Sequence, residues 1–399
     1  MPAIAIRPRV YWIGVNDRTT DLFEGLWPIT TEGVSYNSYF IDDEKKVLID
    51  LAKAFKVDEF LDQLSQITDV TSIDYIVVNH VEPDHTGVLS VMRRIAPKAT
   101  IIGCQKTVAL LESYHSIRDQ IKVVEDGETL SVGERTVQFF ETPFVHWPET
   151  MMTYETTDNI LFSCDAFGGY GALRGAIFDD ECTGFDFYQK ESLRYYVNIV
   201  AKYSNAVLKA IEKLADLPIG IVAPSHGLIW RKNPQLIVDL YSKWAGYASG
   251  QAELGVTLIY GSMYGNTETV MNAVAQGISG AGVPVDIFDA ARTHVSYILP
   301  SLWTKRGVMI GTPTYETKLF PPVANVLNIA VQKRIMSKKA AIFGSYGWSK
   351  GAERHFEEIV TPLKWDISGC LQFAGRPTPE DITQGEAFGA KFANDIKNE

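Results

Sequence analysis

The sequence lacks the features that would assign it to a membrane, secreted or cysteine-rich class of protein. No apolar run approaches the roughly 20 residues needed to cross a bilayer, and residues 1–9 lack the apolar core of a signal peptide. Only four cysteines occur, and no two of them form a C-x-x-C pair, which excludes a zinc ribbon or a thioredoxin motif. We therefore expect a cytoplasmic protein with reduced thiols and no membrane partner.

Positive charge is also scarce. The chain has 37 Lys and Arg against 48 Asp and Glu, a formal net charge of −11. Nucleic acid would be repelled by such a chain, so we expect no nucleic-acid partner. The 399 residues, 46% of them hydrophobic, are enough for two domains with full cores.

Two different rhythms of secondary structure follow each other along the chain. Over residues 1–249, short strands such as Tyr36–Ile41 mix with helical segments such as Lys190–Leu214. This mixture predicts a sandwich of sheets with helices outside. Residues 246–255, GYASGQAELG, have the composition of a linker. Over residues 254–399, strand and helix alternate regularly, which predicts a doubly wound parallel sheet.

Four candidate metal ligands follow the apolar run Ile73–Asn79, which predicts a buried strand. His80, Glu82 and Asp84 occupy alternate positions, so in an extended segment they face one way. His85 is expected to begin the next helix. Burying two carboxylates beside two imidazoles is costly unless a cation is present. The segment therefore predicts a metal site.

Three further candidate ligands also stand at strand ends: His146, Asp165 and His226. Taken singly, each histidine fits a hydrogen-bonded core residue, and Asp165 fits a turn residue. However, the chain has only seven histidines, and four of them fall in these motifs.

Three loops leave the carboxyl ends of strands predicted for the second domain. Small and hydroxyl residues in the first loop offer backbone N–H groups to a phosphate. No lysine follows the glycine, so this is not an NTP-binding loop. Tyr315 and Trp348, in the other two loops, could stack on a flat aromatic ring. Each loop alone also fits a plain turn. The candidate cofactor-binding residues are Ser262, Met263, Tyr264, Gly265, Asn266, Thr267, Pro313, Thr314, Tyr315, Glu316, Ser345, Tyr346, Gly347 and Trp348.

These motifs together resemble those of a known family. The first resembles the H-x-H-x-D-H motif of the metallo-β-lactamase superfamily, with Glu82 in place of the second histidine. A carboxylate there favours iron or manganese over zinc. H-x-E-x-D-H with a later His, Asp and His resembles the signature of flavodiiron proteins, and the later loops resemble the FMN loops of flavodoxin. The resemblance implies an α/β chain with an N-terminal αββα metallo-β-lactamase-like sandwich, followed by a flavodoxin-like doubly wound parallel sheet.

The resemblance also implies the cofactors and their ligands. These would be one FMN and two irons. One iron would be bound by His80, Glu82 and His146, the other by Asp84, His85 and His226, and Asp165 would bridge them. In some relatives the residue matching His85 is not a ligand. The chain departs from the family around the substrate pocket, where it has Phe23-Glu24-Gly25, Gly168-Gly169-Tyr170 and Glu149.

The function implied by the resemblance is that of an enzyme. FMN would pass electrons to the diiron centre, which would reduce O2 to water or NO to N2O. The expected partners are a second copy in a head-to-tail homodimer and a separate electron donor, either a rubredoxin-like protein or a reduced cofactor. Two alternatives stay open: a zinc hydrolase with an appended flavodoxin domain, and an electron-carrier flavoprotein whose first domain is a scaffold.

Overall fold

The computed structural model describes residues 2–249 and 252–398. The chain divides into two compact units on either side of the Ala245–Gly246 peptide bond. Gly250 and Gln251, in the middle of the predicted linker, lie outside the described residues. The ends of that segment are structured, since Tyr247–Ser249 is a short 3-10 helix and a strand begins at Glu253. No helix in the described ranges has the length and apolarity that a membrane span requires.

The first unit is built on two sheets. In the described residues, one sheet has seven strands, in the spatial order Ile4–Arg7, Val10–Trp12, Tyr39–Asp42, Lys46–Ile49, Tyr75–Val77, Thr100–Gly103 and Ile121–Val123. The other sheet has five, in the order Thr129–Ser131, Thr136–Glu141, Met151–Glu155, Ile160–Cys164 and Ile221–Pro224. Two small hairpin-like pairs join Val15–Asp17 to Val34–Tyr36 and Leu22–Phe23 to Trp27–Pro28.

The α-helices of the first unit accompany these sheets. They span Val57–Ser65, Pro83–Thr86, Leu89–Ile95, Gln105–His115, Phe185–Tyr195, Ser204–Lys213 and Pro234–Gly246. Strands Met151–Glu155 and Ile160–Cys164 are buried at every position, as expected of strands covered on both faces. The arrangement of two sheets and outer helices agrees with the predicted αββα sandwich.

Asparagine side chains connect the two sheets at the edge where the candidate ligands lie. Asn37 donates from its side-chain amide to the carbonyls of Pro224 and Gly227, both at 2.9 Å. Asn79 accepts, through its side-chain Oδ1, a hydrogen bond from the hydroxyl of Thr153 at 2.7 Å. These buried bonds fix the loops of one sheet against the strands of the other, because each unsatisfied polar group there would be costly.

Two predicted elements of the first unit are wrong in extent. The single strand predicted for Tyr36–Ile41 is two strands in different sheets, because the chain turns where Asn37 binds the neighbouring loop. The single helix predicted for Lys190–Leu214 contains a wider π-helical turn at Tyr196–Val200. Tyr196, the first residue of that turn, and the preceding Tyr195 are both fully buried.

The second unit contains a fully parallel sheet. The strand order is Val285–Asp289, Glu253–Tyr260, Lys305–Gly311, Lys339–Tyr346 and Asp366–Ala374, the 2-1-3-4-5 order of flavodoxin-like folds. The α-helices span Asn266–Gly280, Val295–Thr304, Pro321–Gln332, Ala352–Val360 and Pro379–Lys397. A short pair joins Thr314–Tyr315 to Lys318–Leu319.

Sequence patterns missed two elements of this unit. The helix Val295–Thr304 has Pro300 inside it, and an internal proline argues against a helix. The strand Asp366–Ala374 lies at the edge of the sheet and is only partly buried over most of its length. A half-buried edge strand lacks the continuous apolar run that predicts a strand buried on both faces.

The helices Asn266–Gly280 and Pro379–Lys397 approach each other so closely that glycine is required at the contact. A Cβ atom on Gly277 would lie 2.8 Å from the backbone nitrogen of Ala390, and one on Gly389 would lie 2.9 Å from the carbonyl carbon of Val274. We predict that Gly277→Ala lowers the free energy of unfolding by about 1–3 kcal/mol, because backbone atoms cannot easily move aside. The change would be measured as a shift in the midpoint of urea unfolding.

The matched control lies on the same helix. A Cβ atom on Gly280 meets nothing within 4 Å. Gly280→Ala should therefore leave stability unchanged or raise it by about 0.4–1 kcal/mol, because alanine reduces the entropy of the unfolded chain. Equal losses in both variants would mean that the helix contact does not depend on glycine.

Candidate metal and flavin sites

A buried aspartate on a neighbouring strand end holds the loop that carries the first candidate ligands. The carboxylate of Asp50 accepts hydrogen bonds from the backbone of Asn79 at 2.9 Å and from its side-chain amide at 3.0 Å. Burial raises the pKa of Asp50 despite these bonds.

The predicted position of His85 was wrong in one respect, since His85 lies within the one-turn helix Pro83–Thr86 and does not begin it.

Four of the predicted ligands form a first group. The Nε2 atoms of His80 and His146 each lie 3.2 Å from the same oxygen of Glu82. The other carboxylate in the group is Asp165, whose Oδ2 lies 3.6 Å from His80 and 3.5 Å from His146. The three loops bearing these residues thus point their donor atoms at one common volume.

The other three predicted ligands form a second group around the same aspartate. His85 Nε2 lies 3.4 Å from Asp84 and 3.2 Å from Asp165. His226 Nε2 lies 3.4 Å from Asp84 and 3.3 Å from Asp165. In this group the Asp165 atom is Oδ1. Asp165 therefore presents one oxygen to each group, which is the geometry of a bridging carboxylate.

The spacing of these donor atoms fits metal coordination. Two donors about 2.1 Å from one ion are about 3.0 Å apart at a right angle and about 3.4 Å apart at the tetrahedral angle. The N–O distances observed in the two groups run from 3.2 to 3.6 Å, so most of them fall within this expected range. The longer of these distances, 3.4 to 3.6 Å, exceed the range of an ordinary N–H···O hydrogen bond.

Four donor atoms of the two groups are buried without any hydrogen-bond partner. They are Asp84 Oδ1, His85 Nε2, Asp165 Oδ2 and His226 Nε2. A buried polar atom without a partner costs free energy, and these four all face the shared volume. Cations placed there would satisfy all of them, so the residues fit a pair of metal ions.

The electrostatics of the site lead to the same conclusion. Burial lowers the pKa of His80, but Glu149 and Glu82 raise it to about 10. Burial likewise lowers the pKa of His226, but Asp165 and Asp84 raise it to about 10. The carboxylates therefore attract positive charge strongly enough to overcome burial. Metal ions supply that charge while leaving the imidazole nitrogens free to coordinate.

Two buried groups that sequence reasoning did not assign hold the ligands from outside. Tyr195 donates its hydroxyl hydrogen to Asp165 Oδ1 at 2.8 Å. Glu149 lies 2.6 Å from Nδ1 of His80. Glu149 stands three residues after His146, so its nearness to a ligand motif was a usable signal. Tyr195 gave no such signal, because it lies in a helix far along the chain.

Aromatic rings cover the second ligand group where the chain departs from the family. The ring of Phe23 packs edge-on against His226 at 5.5 Å and against Tyr170 at 5.4 Å. Tyr36 contacts His226 at 5.8 Å. Glu24, next to Phe23, is exposed and accepts a hydrogen bond from Trp27 at 3.1 Å. The expected pocket is thus walled by aromatic rings.

The second unit has a cavity of about 420 Å³ at the carboxyl ends of its parallel strands. Ligands bind at this edge in such sheets. The predicted cofactor residues that line it are Met263, Tyr264, Asn266, Pro313, Thr314, Tyr315, Glu316, Ser345, Tyr346, Gly347 and Trp348. Tyr264 and Trp348 are 87% and 97% exposed, so a planar ligand could cover two large aromatic side chains.

The remaining predicted cofactor residues do not line this cavity. Ser262 accepts a hydrogen bond from the backbone of Gly265 at 3.1 Å and shapes the loop from within. Gly265 has a φ of +84°, which a side chain would strain, and it caps the helix that follows. Thr267 is buried, with its hydroxyl 3.1 Å from that of Ser345. Sequence reasoning missed three lining residues, namely Thr317, Ser349 and Gly375.

Known proteins match both units. Residues 34–227 match the family described as ODP family beta lactamase, and residues 258–389 match the flavodoxin family. An anaerobic nitric oxide reductase flavorubredoxin of Salmonella arizonae is 35% identical over 98% of this chain and 82% of its own length. The structure of rubredoxin oxygen:oxidoreductase from Desulfovibrio gigas superposes with a TM-score of 0.94 at 29% identity, covering 99% of both chains.

A third relative gives the family its name. The flavodiiron protein of Giardia intestinalis superposes with a TM-score of 0.94 at 28% identity, covering 100% of this chain and 97% of that one. Sequence, domain order and fold agree across these matches. The chain belongs to the flavodiiron protein family.

Proposed function

We propose that this protein is an oxidoreductase that passes electrons from FMN to a pair of iron ions, where O2 is reduced to water or NO to N2O. The metals are assigned to the domain of residues 1–249 and FMN to the domain of residues 254–399. The iron ligands in this proposal are His80, Glu82, Asp84, His85, His146, Asp165 and His226. When bound, iron and flavin supply the electron transfer that no protein side chain here can perform.

The observation that carries the proposal is the position of Asp165 between two groups of buried donors. Its Oδ2 is within 3.6 Å of His80, and its Oδ1 is within 3.3 Å of His226. A bridging carboxylate holds two ions close together, so that both can act on one small molecule. Tyr195 keeps Asp165 in place through its hydroxyl, and Phe23 helps to exclude water from the His226 side.

Glu82 supports iron over zinc. It stands between the imidazoles of His80 and His146, 3.2 Å from each. Burial raises the pKa of Glu82, but the bonds from the two histidines hold it well below its usual range, so it is an anionic donor. An anionic oxygen donor of this kind favours redox-active iron, whereas a histidine-rich site favours zinc.

The names of the relatives support the substrates and the electron donor. One relative is named a nitric oxide reductase, and another is named a rubredoxin oxygen:oxidoreductase. By extension we propose NO or O2 as the substrate and a rubredoxin-type protein as the donor, with a reduced cofactor as the other option. The four cysteines are all free, which is compatible with the cytoplasmic location that we also propose.

A head-to-tail homodimer is the assembly that we propose. Each cofactor site carries exposed aromatic surface that a second copy could cover. Tyr114 is 49% exposed, and its ring lies 5.8 Å from that of Trp147, which contacts His80 at 5.0 Å. In the other unit, Tyr264 and Trp348 border the flavin cavity. In a twofold dimer, the metal-site surface of each copy would cover the flavin-site surface of the other, so the same contact would form twice.

We predict two irons per chain and a strict need for the histidines of both groups. His146→Ala and His226→Ala should each lose metal and activity, because removing one ligand leaves buried carboxylates uncompensated. The FMN absorbance should stay intact, since the flavin cavity is in the other unit. Metal analysis and visible spectra would check this. Fully active protein containing only zinc would refute the redox mechanism.

We predict that Glu82→His converts the first group to a zinc-binding set. Zinc content should rise and turnover with O2 or NO should collapse, because zinc cannot change its oxidation state. Element analysis of protein from iron-supplemented cells and steady-state kinetics would measure both effects. Unchanged turnover would show that Glu82 is not a ligand.

We predict that electrons pass between subunits. One variant would lack a working metal site through His80→Ala with Asp165→Ala. The other would lack FMN through Asn266→Glu with Thr314→Glu, which puts acidic side chains in the flavin cavity. Each homodimer should be inactive, whereas mixed dimers purified through two different tags should regain activity at their one complete flavin–iron pair.

The activity of the mixed dimers should be proportional to their concentration, which excludes transfer between separate dimers. Inactive mixed dimers with normal iron and FMN content would instead place electron transfer within one chain.

A further inference from the structure

The outer nitrogen of His80 contacts a buried carboxylate. Nδ1 of His80 lies 2.6 Å from Oε1 of Glu149, and both side chains are fully buried. The backbone N–H of Val81 donates to the same oxygen at 3.1 Å. Nε2 faces Glu82 and Asp165. With a metal ion bound at Nε2, the proton of a neutral His80 lies on Nδ1 and is donated to Glu149.

The second ligand group has no such contact at His226. Nδ1 of His226 lies 2.7 Å from the backbone carbonyl oxygen of Ser35, an uncharged acceptor. The two histidines are both completely buried, so solvent does not reduce the difference between them. One imidazole therefore donates to an anion and the other to a neutral dipole.

At its second oxygen, the negative charge of Glu149 is not balanced by any hydrogen-bond donor. Oε2 is buried and has no hydrogen-bond partner. A buried carboxylate is tolerated when a nearby positive charge balances it. The imidazole of His80 is the hydrogen-bonded route by which that charge can be shared with whatever Nε2 binds.

We propose that Glu149 is a positioning residue that makes the two metal sites unequal. This inference rests on the proposed diiron function. Glu149 fixes the ring orientation and the Nδ1–H form of His80 and makes its Nε2 a more electron-rich donor. The ion bound by His80, Glu82 and His146 is thereby held more tightly and is stabilised in its ferric state. The ion bound by Asp84, His85 and His226 is the first to be reduced to the ferrous state.

The test removes the charge of Glu149 and keeps its shape. Glu149→Gln can still present an oxygen to His80 and Val81, so the ring should stay in position. The full chain with FMN would be stripped of metal and titrated anaerobically with Fe(II). We expect one of the two irons to bind about 10–100-fold more weakly and the other to be unchanged. The weakened iron should also be reduced at a higher potential, with only one of two Mössbauer signals altered.

A matched control is available in the same unit. Glu155 is also fully buried, is paired with Arg135 and accepts backbone hydrogen bonds from Thr157 and Asp158. Glu155→Gln makes the same chemical change away from the ligand groups. It should lower stability but leave both iron affinities and both potentials at their wild-type values.

The shorter acid gives a second way to test the idea if Glu149→Gln does not fold. Glu149→Asp keeps the charge, so its two irons should stay closer to the wild-type potentials than those of any neutral variant at this position, including Glu149→Ser. Iron affinities unchanged from wild type, with unaltered Mössbauer signals, in both Glu149→Gln and Glu149→Ser would overturn the inference. Wild-type protein that binds no pair of irons would instead overturn the proposed function.

Discussion

The structure of the first unit depends on one buried charge, the carboxylate of Asp165. It is 1% exposed, and its two oxygens face two different groups of donors. Such a charge is stable only where positive charge and hydrogen bonds surround it. The loops that follow strands of both sheets therefore have to meet at this point, and the bonds of Asn37 and Asn79 hold them there. The sandwich is the means of bringing those loops together.

The need to balance this buried charge also explains what surrounds the ligands. A few polar groups stand at fixed positions, and aromatic rings occupy the rest of the space. In two of the histidines, the Nδ1 atom faces away from the ligand group and lies against a defined acceptor. This acceptor is Glu149 for His80 and the backbone carbonyl of Ser35 for His226. Rings such as Phe23 and Tyr36 fill the remaining space without offering hydrogen bonds to the ligands. Excluding water in this way strengthens every charge interaction inside the site.

The cluster of candidate ligands could be predicted from sequence because its histidines are among only seven in the chain and its members stand at strand ends, a pattern that needs no knowledge of packing. The pairing of the ligands into two groups needed the family resemblance. Glu149 stood within a motif but its partner could not be known, since His80 is 69 residues away. Tyr195 was out of reach altogether, because no sequence pattern relates this helical residue to Asp165, 30 residues away. Periodicity likewise missed the edge strand Asp366–Ala374, whose half-buried residues carry no clear pattern.

The two cofactor sites use the same location in their sheets but differ in enclosure. Both lie in loops that follow the ends of strands. The backbone groups of these loops are not used for strand pairing, so they and the nearby side chains are free to bind a ligand. The proposed metal ligands are nearly all buried, whereas Trp348 at the proposed flavin cavity is 97% exposed. A substrate such as O2 or NO is small and uncharged, so it can reach an enclosed site. The open cavity has exposed rings that lie against the second copy in the proposed homodimer. The enclosed site therefore suits the gas chemistry, and the open site suits the passage of electrons between subunits.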